Sequence, residues 1–135
     1  INDKAVLGII RVLLHGKSEA KEWMSNNLEV DKITNARLKK LIERMLPLMN
    51  SNSSDIIAVY EDGVDRKIIS QIMIEEDSSI DFMQMSIDCL STLRKDYARQ
   101  KINQFRQKIR QLEADGEDTT DLMSEVLQMQ KDMNA

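Results

Sequence analysis

From Ser79 to Leu112 the chain runs for 34 residues without a glycine or a proline. As one helix this stretch is roughly 50 Å long at about 1.5 Å per residue. The mean globular helix has only about 11–12 residues, so one core rarely supports such a length along one face. Its apolar positions fall into two series. Ile80, Met83, Ile87 and Leu90 recur at intervals of four and three, and Ala98, Ile102, Phe105, Ile109 and Leu112 repeat that spacing. Extending the first series beyond Leu90 leads to Arg94 and Tyr97, not to Ala98. The slip predicts one long helix, 79–114, shared by two packing units. A bundle of about five helices occupies 1–93, and a C-terminal antiparallel helical hairpin occupies 94–135, with a hinge near Arg94–Ala98. The expected fold class is all-α.

The rest of the chain supplies the bundle. Asn2 or Asp3 can cap a helix reaching Leu14, with Val6, Leu7, Ile9, Ile10, Leu13 and Leu14 as a broad apolar face and Gly16 ending it. Ser18 can cap a short helix through Trp23 to about Asn26. Residues 28–33 read as irregular or a short turn. Thr34 can cap a third helix with Leu38, Leu41, Ile42 and Met45 inward, limited by Pro47. Ser53 or Ser54 can cap a fourth, Asp55 to Asp62, stopped by Gly63. Asp65 opens a fifth, with Ile68, Ile69, Ile72 and Met73 inward at helical spacing. Glu75-Glu76-Asp77-Ser78-Ser79 reads as a surface loop ending in the cap of the long helix.

Composition narrows the function. Net charge is −4, which argues against a nucleic-acid-binding module, because phosphate neutralisation needs a basic patch. The charge is uneven. Residues 94–110 hold seven basic side chains and one acidic, Asp96, whereas from 113 onward there are seven acidic and one basic, Lys131. The one cysteine, Cys89, excludes an internal disulfide and suits a buried thiol in a reducing, cytosolic setting. The one histidine, His15, sits at a helix end, where a capping or surface role is expected. One His and one Cys far apart give no metal or nucleophile pair, and no phosphate-loop, dinucleotide or HExxH motif occurs. No stretch approaches a membrane span. No catalytic residue, metal ligand or cofactor site is therefore expected in this fragment. Nine methionines read mainly as adaptable core filler. The chain opens at Ile1 rather than Met and reads as a piece of a longer protein.

The last third points to protein binding. Asp115-Gly116 ends the long helix, and Thr119 or Thr120 caps the final one. Leu122, Val126, Met129 and Met133 then recur at four, three and four, complementary to Ile102, Phe105, Ile109 and Leu112 in an antiparallel pair. The basic first helix and acidic second favour that pairing, although exposed ion pairs contribute only about 0–1 kcal/mol each. Met123, Leu127 and Gln130 form a second row beside the seam, and Tyr97 also stands off it. Exposed apolar residues with a polar rim mark contact sites.

The order of parts resembles the C-terminal helicase-binding domain of bacterial DnaG-type primases. The resemblance rests on Leu93-Arg94-Lys95, on Ile102 through Asp118 with its Glu113-Ala114-Asp115-Gly116-Glu117 turn, and on Leu122-Met123-Ser124-Glu125-Val126-Leu127. The opening Ala5 to His15 looks like that family's first helix. The resemblance implies a non-catalytic docking module whose parent makes RNA primers with a separate catalytic domain. Its partner would be the hexameric replicative helicase, gripped by the hairpin at the helicase's N-terminal domains. No direct nucleic-acid contact, no membrane and a monomeric state in isolation are expected. Helicase contacts would then be Tyr97, Arg106, Met123, Leu127, Gln130 and Met133, while Ile102, Phe105, Ile109, Leu112, Leu122, Val126 and Met129 hold the hairpin together. The bundle half also resembles the N-terminal domain of the replicative helicase itself. A generic helical adaptor or dimerisation module is the remaining reading.

Overall fold

The computed structural model describes residues 3–75 and 77–134. Among them it is all-α, with seven helices: α1 Lys4–His15, α2 Ser18–Asn27, α3 Ala36–Met45, α4 Ser53–Ala58, α5 Gly63–Ile74, α6 Phe82–Ala114 and α7 Thr120–Met133. Short 3₁₀ turns at Val30–Lys32 and Leu46–Leu48 flank α3. The chain divides into two compact units, 1–93 and 94–135, so α6 contributes to both. No described helix is long and apolar enough to cross a membrane.

The first unit is built on one continuous core. Ile9, Ile10, Val12 and Leu13 of α1 are fully buried against Ala20 and Met24 of α2, Leu41, Ile42 and Met45 of α3, and Ile69 of α5. Helix α6 enters this core with Leu90 and Leu93. A Cβ at Gly8 would stand 2.5 Å from Cys89 Sγ, so α1 approaches α6 this closely only because that position carries no side chain. Burial above all, then the neighbouring Asp88 charge, pushes the Cys89 thiol up, which keeps it neutral.

Several sequence expectations are corrected at helix starts. The side-chain caps are all Asn or Asp. Asn35 Oδ1 accepts from the Leu38 amide at 3.1 Å, Asn52 from Asp55 at 2.9 Å, Asp62 from Val64 and Asp65 at 2.8 and 3.2 Å, and Asp81 from Gln84 at 3.0 Å. Thr34, Ser53 or Ser54, and Ser79 give way to these neighbours as caps, and Ser53 is the first residue of α4. Ser18 is the first helical residue after the Lys17 N-cap, and neither Lys17 nor Asp3 makes a side-chain cap. The Asn2 alternative lies outside the described residues, as does Glu76 of the acidic loop. Gly63 opens α5 instead of stopping α4, which ends at Ala58. Ser79 donates both its amide and its hydroxyl to Asp77, and α6 begins only at Phe82, leaving Ile80 outside it.

The inward row of early α6 is also corrected. Ile87 is 43% exposed, whereas Ser86 is fully buried. The Ser86 hydroxyl donates to the Phe82 carbonyl at 2.7 Å, so its one donor is satisfied within the helix and the small side chain can face the core. His15 is half-buried and not a surface cap. Its Nε2–H donates to the Ile72 carbonyl at 2.6 Å, tying the end of α1 to α5, and an Arg11–Glu75 ion pair links α1 to the chain just beyond α5.

Tyr60, within the loop after α4, is fully buried and donates its hydroxyl to the Leu41 carbonyl at 2.6 Å. Arg44 lies 5.4 Å from its ring centroid. Burial dominates and pushes the phenol up to about 12, from an ordinary value of about 10. The sign follows directly: the unfolded chain ionises first, so this contribution is complete below pH ~10 and lost as pH rises towards ~12. Unfolding measured at pH 9 and near pH 12 is expected to show a stability loss on the order of 2 kcal/mol that Tyr60→Phe removes. An identical alkaline loss in the variant would contradict the assignment.

Candidate protein-docking surface

The second unit comprises residues 94–114 of α6, a turn, and α7. The turn follows from its residues. Gly116 has φ +75°, a left-handed conformation that costs a side-chain-bearing residue about 1–2 kcal/mol. Around it the Glu117 amide donates to the Leu112 carbonyl at 2.9 Å and the Gly116 amide to Glu113 at 3.0 Å. This 6→1 and 5→2 pair is the Schellman arrangement, which satisfies the last carbonyls of α6. Thr119 is the N-cap of α7 but makes no side-chain cap. Asp118 instead accepts from the hydroxyl and the amide of Thr120 at 2.6 and 3.0 Å, and these donors hold its carboxyl below the usual range.

The seam is small. Ile102, Ile109 and Val126 are buried, and Phe105, Leu122 and Met129 pack on them half-buried. Leu112 and Met133 are also half-buried. Because Phe105 keeps part of its surface in water, Phe105→Ala is expected to lower hairpin stability by about 1–3 kcal/mol, below the 3–5 of a fully enclosed phenylalanine. Thermal unfolding of the variant checks this, and no change would place the ring outside the seam.

The residues expected to contact a partner separate into two groups. Arg106, Gln130 and Met133 meet around a shallow groove of about 210 Å³, completed by Arg99, Ile102 and Asn103. Met123 is 41% and Leu127 66% exposed, and both lie on the same flank of α7 as Gln130. Tyr97 is apart from them. It precedes Arg106 by nine residues, which turns it to the opposite side of α6 at about 100° per residue. There Lys101 Nζ stands 5.6 Å from its ring centroid. Arg99 and Asn103 were not singled out from sequence, although their spacing to Arg106 at seven and three placed them on its row.

The polar groups of this surface are guanidinium, amide and thioether side chains, and no described cluster of His, Cys, Asp and Glu is placed to hold a metal ion. The chain matches no family model, no curated protein and no solved structure.

Proposed function

We propose that this chain is the helicase-docking module of a bacterial DnaG-type primase, acting in the cytoplasmic replisome. It would bind the N-terminal domains of the hexameric replicative helicase and so couple primer synthesis to unwinding. The observation that supports this most is the hairpin edge carrying Arg106, Met123, Leu127, Gln130 and Met133. The hairpin already has its own seam at Ile102, Ile109 and Val126, so the exposed Arg106, Met123 and Leu127 are left over from folding. Tyr97, on the other side of α6, is assigned a lesser share of the contact. The sequence resemblance in the order of parts points the same way. The role is non-catalytic and needs no cofactor in this segment.

Removing residues 94–135 is expected to abolish co-elution with the replicative helicase while the helical circular dichroism of residues 1–93 persists. Retained co-elution would reject the assignment. The 66% exposure of Leu127 also favours a second reading, a homodimerisation module that buries this row against a second copy. Light scattering distinguishes them: a monomer supports docking to another protein, and a stable homodimer supports self-association.

A further inference from the structure

The two edges of the hairpin differ in charge. On α6, Lys95, Arg99, Arg106 and Arg110 lie within about 60° of one another around the axis and span about 22 Å along it. All four are exposed. Arg99 pairs with Asp96 at 3.1 Å, and among the described residues no ion pair involves Lys95, Arg106 or Arg110. The groove shows which flank of α7 this ridge meets, since Arg99 and Arg106 line it together with Gln130 and Met133. That flank carries Met123 and Leu127 and no acidic residue. The acids of α7, namely Asp121, Glu125 and Asp132, all project from its other flank, about 120–160° from Leu127. They share that edge with Arg94, Lys101 and Lys108, so it carries both signs of charge. One edge thus carries three cations and three acids, and the other presents a cationic ridge beside an apolar row.

We infer that this edge binds an acidic amphipathic helix, whose apolar side chains cover Met123 and Leu127 and whose carboxylates face the Lys95–Arg110 ridge. The inference rests on the docking reading of the hairpin and adds the chemistry of the partner's contacting element. A helix of about 15–18 residues matches the ridge in length. Helix-in-groove recognition uses apolar anchors at helical spacing, with charge setting selectivity and association rate. A nucleic acid would use the cations but leave Met123 and Leu127 uncovered.

The test uses the full chain and three fluorescent probes: a Leu/Glu amphipathic helical peptide of about 18 residues, its Leu/Lys counterpart, and single-stranded oligothymidine of similar length. The acidic peptide is expected to bind at least about tenfold tighter than the basic one, with affinity falling as salt rises. Amide shifts should map to the Arg99, Arg106 and Leu127 edge. The Arg99→Glu/Arg106→Glu/Arg110→Glu variant, with unchanged circular dichroism, should lose or reverse that preference. Arg94→Glu/Lys108→Glu should change it less than about threefold. Equal binding of both peptides, tighter binding of the oligonucleotide, or shifts on the Tyr97 side would overturn the inference. Titration with the replicative helicase separates the two readings. If the triple variant retains helicase affinity, the acidic-helix inference fails and docking stands. If the unmodified chain binds the acidic peptide but not the helicase, the helicase assignment fails and the edge chemistry stands.

Discussion

Leu41→Ala is expected to lower the unfolding free energy of residues 1–93 by about 3–5 kcal/mol. Leu41 is 1% exposed and lies in α3 among Ile10, Leu13, Ile42 and Met45, in the continuous core of the first unit. Truncation removes the transfer free energy of its buried methyl groups and leaves a cavity that neighbouring helices close only in part. Domains of this size are stable by only about 5–15 kcal/mol in total, so the variant should unfold at much lower denaturant. Leu7→Ala, on the outer side of α1, is the comparison. With Leu7 already partly in water, it should change stability by less than about 1 kcal/mol. Urea unfolding followed by circular dichroism measures both, and equal effects would contradict the core assignment.

Leu127→Asp is expected to weaken helicase binding by roughly thirtyfold or more, about 2 kcal/mol, without changing the fold. The side chain lies outside the Ile102–Ile109–Val126 seam, so the hairpin does not depend on it. In a docked complex it would be an apolar anchor, and the substitution buries an unpaired charge there. Arg106→Glu should act mainly on the association rate and its salt dependence, because a rim cation steers encounter more than it holds the complex. A Leu127→Asp variant that binds with unchanged affinity would remove this edge from the interface.

The all-α class was legible because the chain states it repeatedly. A glycine-free, proline-free run of 34 residues has few alternatives to helix. The spacing of Leu38, Leu41, Ile42 and Met45 gives a buried face, and all four are buried. What sequence could not separate were near-equal choices made by local competition. Asn35 next to Thr34, and Asp81 close to Ser79, show that where good N-cap residues lie side by side, their ranking does not say which of them caps. Ser86 against Ile87 shows a second limit: a satisfied hydroxyl can take a core position one residue from a branched apolar side chain that stays outside. Tyr60 was missed because the sequence reading carried the fourth helix on to Asp62 and assigned that stretch no buried face, whereas the helix ends at Ala58 and Tyr60 turns into the core from the loop. At the candidate surface, the row of Met123, Leu127 and Gln130 was readable from spacing. Its meeting with Arg99 and Arg106 was not, since that depends on which flank the Gly116 turn brings across.

Analytical ultracentrifugation of the full chain mixed with the purified hexameric replicative helicase tests the central claim most directly. The expected result is that the chain sediments with the hexamer, and that Leu127→Asp with Met123→Asp returns it to a free, folded monomer. A chain that sediments apart from the helicase, or that forms its own dimer through Met123 and Leu127, would contradict the account.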